Sequence, residues 1–331
     1  MVRFGMCSCG GFIERTVLPN IEAVGNAEVV AAYNRSADRL KRVCDKFGIE
    51  QRYTQYNDLL KRDDVDAIYI ASPNAYHKSH TIMAAEAGKH IFCEKPMAMN
   101  ARECQQMVDA CRHHGVQLGV GFCFPFYGSQ KRVKQLVVEG AIGQVSHVHI
   151  SFNLGTYNKE TVGWRCDPKI SGGGPLMDLG PHLVNLACFF LDDQVKKVMA
   201  YVHPDKTNDE IELDAVVALE FERGGRATFE TSFVRGNVPC YSVVGSGGEI
   251  HAVNTTCQTD GGELRLVTHE KNETINFEKQ QGIAEQINLF CRAIEQGGEP
   301  AMSGETGLHV QAVIDGIYES GRSGVRQSVE A

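Results

Sequence analysis

The sequence predicts an α/β protein of two domains. A doubly wound parallel sheet spans residues 1–121, and an α+β domain with a large, mostly antiparallel open sheet spans 122–331. Three observations predict it. Strand and helix patterns alternate as far as residue 121. From about residue 143 the apolar period becomes two, and glycine pairs punctuate it at Gly224-Gly225, Gly247-Gly248 and Gly261-Gly262. A length of 331 residues also suits two domains.

Residues 2–7 and 27–33 read as the first two strands. Residues 65–72, nearly all apolar, read as a strand buried on both faces of a parallel sheet. Residues 89–93 and 116–121 add further strands, with helical patterns at 11–24, 37–47, 76–87 and 101–114 between them. The last helix opens on a capping box, Asn100-x-x-Glu103, and stops at Gly115. Beyond the boundary near 121–124, Val148, Ile150 and Phe152 alternate with polar neighbours. So do Val217, Leu219 and Phe221, and then Ala227, Phe229 and Phe233. Helices at about 126–139, 181–191, 282–296 and 305–322 can cover one face of that sheet.

Composition excludes several classes of function. Lys plus Arg number 33 and Asp plus Glu 41, a net charge of −8 with no basic block, which argues against nucleic acid and anionic membranes as partners. No apolar run approaches the roughly 20 residues of a membrane span. The chain opens directly into strand-like sequence, so a cytoplasmic protein without a signal peptide is expected. The twelve cysteines, at 7, 9, 44, 93, 104, 111, 123, 166, 188, 240, 257 and 291, read as free thiols in a reducing compartment. Cys7-Ser8-Cys9 is too tight for zinc, and no metal is expected.

The first strand-to-helix turn is Ser8-Cys9-Gly10-Gly11-Phe12-Ile13. In the dinucleotide fingerprint G-x-G-x-x-G/A, Gly10 takes the middle position, where backbone approaches a pyrophosphate. Ser8 stands at the tight-turn glycine and Ile13 at the small residue, so an ordinary β-α turn explains the segment nearly as well. The second strand ends in Tyr33-Asn34-Arg35-Ser36, where an acidic residue would hold a ribose 2′-hydroxyl. Asn34 does not repel a 2′-phosphate, and Arg35 and Ser36 can bind one, so NADP(H) is favoured over NAD(H).

The next two strands feed Ser72-Pro73-Asn74-Ala75-Tyr76-His77 and Glu94-Lys95-Pro96 at their C-terminal ends, where open α/β sheets bind ligands. Downstream lie Trp164-Arg165 and Gly172-Gly173-Gly174-Pro175-Leu176-Met177-Asp178-Leu179-Gly180-Pro181-His182. The glycine run suits close backbone approach to a ligand. If one helix runs through this stretch, Asp178 and His182 are i,i+4 neighbours; if a helix starts at Pro181, Asp178 lies in the turn before it.

These motifs fall in order with Gly-Ala-Ile-Gly-Gln-Val at 140–145 and Gly-Ser-Gly-Gly-Glu-Ile at 245–250. Taken together, from residue 2 to about 322, the chain resembles the glucose–fructose oxidoreductase / inositol dehydrogenase (Gfo/Idh/MocA) family. The resemblance implies an N-terminal Rossmann domain, a C-terminal α+β domain and NAD(P)-dependent hydride transfer at a carbinol or carbonyl carbon of a sugar, cyclitol or cyclic diol. It implies Lys95, Asp178 and His182 as catalytic residues, and Ser72, Pro73, Asn74, His77, Glu94 and Lys95 along the cofactor. Trp164 and Arg165 would close over the cofactor, and Phe124 would border the substrate with Lys95, Trp164, Asp178 and His182.

The residue chemistry agrees with those roles: a neutral imidazole removes a hydroxyl proton near pH 7, a carboxylate orients it, and an ammonium stabilises alkoxide character. The family also contains cofactor-bound regulators and NAD-using glycoside-cleaving enzymes, which stand as alternatives. Asn185 replaces the family's usual aspartate, and the aromatic segment Gly121–Phe126 lacks an arginine often found there. A less polar substrate than a free sugar would suit that segment. The uncovered sheet face points to a homodimer or homotetramer.

Overall fold

The computed structural model describes residues 1–155, 163–207, 209–236, 238–256 and 260–329; Cys257 lies outside them. The chain divides into two compact units, Met1–Phe122 with Ile283–Leu308 and Cys123–Gly282 with His309–Ala331. The sequence reading assigns all of 122–331 to the second domain, whereas residues 283–308 pack with the first unit.

The first unit is a six-stranded parallel sheet of β1 (Val2–Cys7), β2 (Ala27–Tyr33), β3 (Gln51–Tyr53), β4 (Ala67–Ile70), β5 (His90–Cys93) and β6 (Leu118–Val120). The order β3-β2-β1-β4-β5-β6 is that of a Rossmann fold, and the strand order reverses between β1 and β4. Ligands bind at such a switch point because the loops leaving the two strands diverge there. The expected strand 65–72 is shortened to its four fully buried residues, Ala67–Ile70. The three-residue β3 has no apolar pattern and no counterpart in the sequence reading.

Residues 283–308 join this unit for a physical reason. β6 is an edge strand, and an open edge needs a partner. Val120 N–H donates to Met302 O at 2.8 Å, and Gly119 pairs with Ser303. Phe290, in the helix Gly282–Gln296, packs 5.3 Å from the Phe92 ring and 6.2 Å from Phe4. A Cβ on Gly119 would lie 2.7 Å from the Phe290 ring, so this strand position needs glycine.

Helix ends follow the sequence signals. The Ser36 Oγ caps the helix Ala37–Phe47, accepting from Arg39 N–H at 3.3 Å. Asn100 Oδ1 accepts Glu103 N–H at 3.0 Å at the start of Ala101–His113, and Gly115, at φ 67°, ends it.

The second unit is a nine-stranded sheet in the order β14-β13-β12-β11-β7-β10-β9-β8-β15. Its strands are β7 (Val145–Asn153), β8 (Val195–His203), β9 (Asp214–Phe221), β10 (Arg226–Ser232), β11 (Cys240–Gly245), β12 (Gly248–Val253), β13 (Glu263–Thr268), β14 (Asn272–Ile275) and β15 (Gln327–Ser328). Only β7 and β10 pair in parallel. Val148, Ile150, Val217, Leu219, Phe229 and Tyr241 form the buried face, and Phe190 of the helix Gly180–Leu191 stacks 5.0 Å from Tyr241. The helix Gly304–Ser323 continues from the first unit into the second after Leu308 and lies along β8, where Ala200 N–H donates to Ser320 Oγ at 3.0 Å. The opposite face carries exposed Met199, Tyr201 and Val216 and a histidine row, with His147 Nε2 and His149 Nδ1 at 3.1 and 2.9 Å from Thr228 Oγ1. Among the described residues no helix is long and apolar enough to cross a membrane.

Candidate active site

In the first unit the turn after β1 is built by backbone strain. Ser8 sits at φ 91°, a conformation that side chains avoid, and its N–H donates to Tyr33 O at 2.9 Å. That is the position where the fingerprint has its first glycine. Gly10 faces open space: nothing lies within 4 Å of where its Cβ would stand. A helix leaves from Gly11, and Arg15 folds back over it, 2.7 Å from the place of a Gly11 Cβ. Phe12 is half-buried and Ile13 fully buried, and Ile13 opens a π-helical turn, Ile13–Val17, a local widening of the helix common at functional sites. An open backbone loop at the switch point and a helix start fit a dinucleotide pyrophosphate, although two of three fingerprint residues are unusual.

At the end of β2, Asn34 is buried and its Oδ1 accepts Ser36 N–H at 2.9 Å. The Arg35 guanidinium lies over the Tyr76 ring at 5.0 Å. This contact uses none of its five N–H groups. Tyr76, His80, Tyr56 and Tyr33 form an aromatic cluster beside it, with His80 4.8 Å from Tyr56. Burial holds the His80 pKa down to about 4, so the ring is neutral at pH 7, with Nδ1 3.0 Å from Ser72 Oγ.

The loops after β4 and β5 meet at His77. Its ring is fully buried, with Nε2 2.7 Å from Ser72 O and Nδ1 2.9 Å from Pro96 O. Both nitrogens lie against carbonyl oxygens, one on each loop; a neutral ring donates to one of them, so His77 packs between the loops and ties itself to one at a time. Pro73 is half-buried and Asn74 buried in the first of these loops. Glu94 accepts the Tyr69 hydroxyl at 2.5 Å, and its carboxylate lies 2.7 Å from where a Gly121 Cβ would be. Lys95 is half-buried directly after β5, and the Lys95–Pro96 peptide is cis.

In the second unit a short helix, Pro175–Asp178, is followed after Leu179 by Gly180–Leu191. Leu179 N–H donates to Pro175 O at 2.8 Å and Leu183 N–H to Leu179 O at 3.4 Å, so the helical run is nearly continuous. Asp178 and His182 are thus i,i+4 neighbours on that run, the first of the two arrangements the sequence allows. The Phe124 ring stacks on His182 at 4.4 Å and 20°, and both are buried. Asn185 lies one turn further on, also buried. Arg165 lies over the Trp164 ring at 4.5 Å, and its Nε is 3.8 Å from Asp178 Oδ2. This partly exposed pair is worth about 1 kcal/mol or less, enough to bias the carboxylate but not to fix it.

The glycine run serves a purpose the sequence does not show. A Cβ on Gly173 would lie 2.0 Å from the Tyr318 hydroxyl, and one on Gly174 would lie 2.0 Å from Glu212 O. The glycines admit other parts of the chain, not only a ligand. Glu212, absent from the sequence reading, is fully buried. Both its carboxylate oxygens accept Gly174 N–H at 2.9 Å, and Oε1 accepts Leu176 N–H at 2.9 Å. Burial pushes its pKa up, while the Gly174 and Leu176 N–H groups oppose the rise. Desolvating a carboxylate costs several kcal/mol, and bonds to a charged group return about 1.5–3 kcal/mol each, so the contacts decide whether the anion is tolerated.

Burial pushes the Cys111, Cys188 and Cys291 thiols up to about 12, and Cys7 and Cys93 rise for the same reason. Among the described residues no cluster of His, Cys, Asp and Glu could hold a metal.

A Rossmann sheet with an open glycine turn, joined to a second unit carrying a carboxylate–imidazole pair, defines a dinucleotide-dependent oxidoreductase. Residues 2–122 match the model for an oxidoreductase family with an NAD-binding Rossmann fold, and residues 130–251 match the GFO/IDH/MocA C-terminal domain. The chain belongs to the GFO/IDH/MocA oxidoreductase family. It is 31% identical to D-xylose 1-dehydrogenase (NADP(+)) 2 of Haloferax volcanii, over 97% of this chain and 98% of that protein. It is 27% identical to 1,5-anhydro-D-fructose reductase of Ensifer adhaerens, over 100% of this chain and 99% of that one. The crystal structure of aldose-aldose oxidoreductase from Caulobacter crescentus, complexed with glycerol, superposes with a TM-score of 0.92 at 26% identity, covering 99% of each chain.

The strain at Ser8 gives a prediction. A residue held at positive φ costs about 1–3 kcal/mol, and glycine costs about 0.5–1 kcal/mol in unfolded-state entropy. Ser8→Gly is therefore expected to stabilise the protein by about 1 kcal/mol, raising Tm by about 2–4 °C in calorimetry. A lower Tm would show that the hydroxyl matters more than the backbone.

Proposed function

We propose that this chain is an NAD(P)-dependent dehydrogenase or reductase acting on a carbinol or carbonyl carbon of a sugar, cyclitol or cyclic diol, with NADP(H) preferred. The observation that carries the reading is the Asp178/His182 pair on one helical run, with the imidazole stacked on Phe124. The activities named for the xylose dehydrogenase and the anhydrofructose reductase point the same way.

A bound nicotinamide supplies the hydride acceptor or donor. In the oxidative direction neutral His182 takes the hydroxyl proton, and the Asp178 carboxylate orients it and stabilises the imidazolium. The Lys95 ammonium stabilises the charge that grows on the oxygen as the hydride departs. In reduction His182 returns the proton to the new alkoxide. In the Ser8–Ile13 turn, backbone N–H groups beyond Ser8 would hold the pyrophosphate, and Ser72, Pro73, Asn74 and Glu94 would line the cofactor. His77 would act behind them, packed between the two loops. Trp164, with Phe124, would offer the substrate aromatic surface, which suits a sugar derivative with fewer hydroxyls.

Lys95→Ala and His182→Asn are each expected to lower kcat by about 10²–10⁴-fold in a nicotinamide-absorbance screen of aldoses, cyclitols and diols. Full turnover in either folded variant would refute the assigned role.

The cofactor preference rests on Asn34, Arg35 and Ser36. Arg35 keeps its N–H groups for a phosphate while it stacks on Tyr76, and Ser36 can donate its hydroxyl proton while its oxygen caps the helix. The name of the xylose dehydrogenase also specifies NADP(+). Arg35→Ala should raise the dissociation constant of NADP(H) at least tenfold and leave that of NAD(H) within twofold, by fluorescence titration. Tighter binding of NAD(H) by the unaltered protein would overturn the preference.

The open sheet face supports pairing with a second copy. Tyr201 stands opposite Val216 in register, and Met199 opposite Ala218, which gives a contiguous apolar strip on β8 and β9. Such a strip is unusual for a monomer and suits a two-fold interface. Light scattering at micromolar concentration should show a dimer or tetramer, and Val216→Glu should shift it toward monomer. A monomeric mass for the unaltered protein would count against the interface.

A further inference from the structure

We propose that Glu212 is a positioning residue of this site, which fixes the helical turn that carries Asp178, one turn before His182. The proposal rests on the reading that Asp178 and His182 carry the chemistry.

The turn cannot cap itself. Its first positions are Gly174, which has no side chain, and Pro175, which has no N–H. Met177 and Asp178 N–H donate to Gly174 O at 3.1 and 3.0 Å, so the N–H groups of Gly174 and Leu176 are left over. Glu212 accepts both, at 2.9 Å each. It comes from outside the helix, just before β9. Its neighbour Leu213 is pinned into the sheet on two sides, donating to His203 O and accepting from Phe233 N–H, each at 2.9 Å. The direction of the first helical turn, and with it the Asp178 side chain four residues after Gly174, is thereby referred to the sheet.

Two further groups reinforce the anchor. The Tyr318 hydroxyl is buried beside the glycine run, 2.0 Å from where a Gly173 Cβ would stand, and within electrostatic reach of Glu212. Lys206 lies 4.3 Å from the Tyr318 ring and donates to Gly172 O, at the start of the glycine run. Glu212 itself is inaccessible to a substrate, so its effect must pass through the turn. A carboxylate serves better than an amide here, because both its oxygens accept and neither end presents an N–H to the N–H groups of the turn.

The test compares Glu212→Gln, Tyr318→Phe and Asp178→Asn as full-length proteins, each below its own Tm. For Glu212→Gln we expect kcat to fall at least tenfold, with the dissociation constant of the dinucleotide unchanged within twofold. A misaimed Asp178 stabilises the imidazolium less, so the acidic limb of the kcat/KM profile for oxidation should move to lower pH. If Glu212→Gln does not fold, Tyr318→Phe carries the test, with a two- to fivefold loss of kcat and a shift of the limb in the same direction. A folded variant with lower Tm but normal kcat and an unmoved pH profile would reduce Glu212 to a structural role and overturn the proposal. Full turnover by Asp178→Asn would overturn the reading of the site itself, and the proposal with it.

Discussion

The second half of the candidate site depends on one contact, the Glu212 carboxylate on the N–H groups of Gly174 and Leu176. Helix starts leave N–H groups without partners, and most helices meet this with a local serine, threonine or aspartate. A glycine-proline start forgoes that solution. The glycines are nonetheless required, since any side chain at 173 or 174 would run into Tyr318 or the Glu212 backbone. Close packing and the missing cap therefore have one cause, and the buried acid answers both.

A similar solution appears in the first unit. Two loops leave adjacent strands β4 and β5 at their C-terminal ends, and carbonyl oxygens there would otherwise need water. His77, fully buried, sets its two ring nitrogens beside a carbonyl of each loop, Ser72 O and Pro96 O, and in the neutral form donates to one of them. Burial pushes its pKa down while the two carbonyls oppose the shift, so the environment sets protonation against hydrogen bonding. Lys95 stands between Pro96, whose carbonyl lies beside the His77 ring, and Glu94, whose N–H donates to Ile70 O. In both units the residues proposed for chemistry sit next to buried, hydrogen-bonded supports, the arrangement that keeps reactive groups in place.

Much of this was legible in the sequence where local pattern decides. β1, β2 and the helix Ala37–Phe47 coincide with the sequence reading because apolar period, Ser36 cap and Gly48 stop agree there. The fold class and the family followed from the order of the motifs, and the i,i+4 spacing of Asp178 and His182 was one of two arrangements the sequence allowed. What was not legible depended on the return of the chain. Residues 283–308 read as part of the second domain because nothing in a linear pattern shows that Phe290 packs against Phe4 and Phe92. Glu212 was invisible for the same reason: it lies 38 residues from Gly174 and looks like any acid before a strand. The glycine run was legible as a close approach, but what approaches was not.

The net charge of −8 sets a last constraint on cofactor binding. Overall repulsion of an anionic dinucleotide is screened beyond about 8 Å at physiological ionic strength, so groups within contact range decide. The sequence suggests Arg35 and Arg165 for this. The structure distinguishes them, because Arg165 has a carboxylate 3.8 Å away and a neighbouring indole under its guanidinium. Part of its charge is thus answered by Asp178. Arg35 has an aromatic face and no carboxylate in an ion pair among the described residues. On the proposed reading, the attraction for a 2′-phosphate would therefore concentrate at the end of β2, and the pyrophosphate would be left to backbone N–H groups of the turn after β1. On that reading an acidic chain would bind an acidic cofactor through few cations, chiefly Arg35, which no acid of its own engages in an ion pair among the described residues.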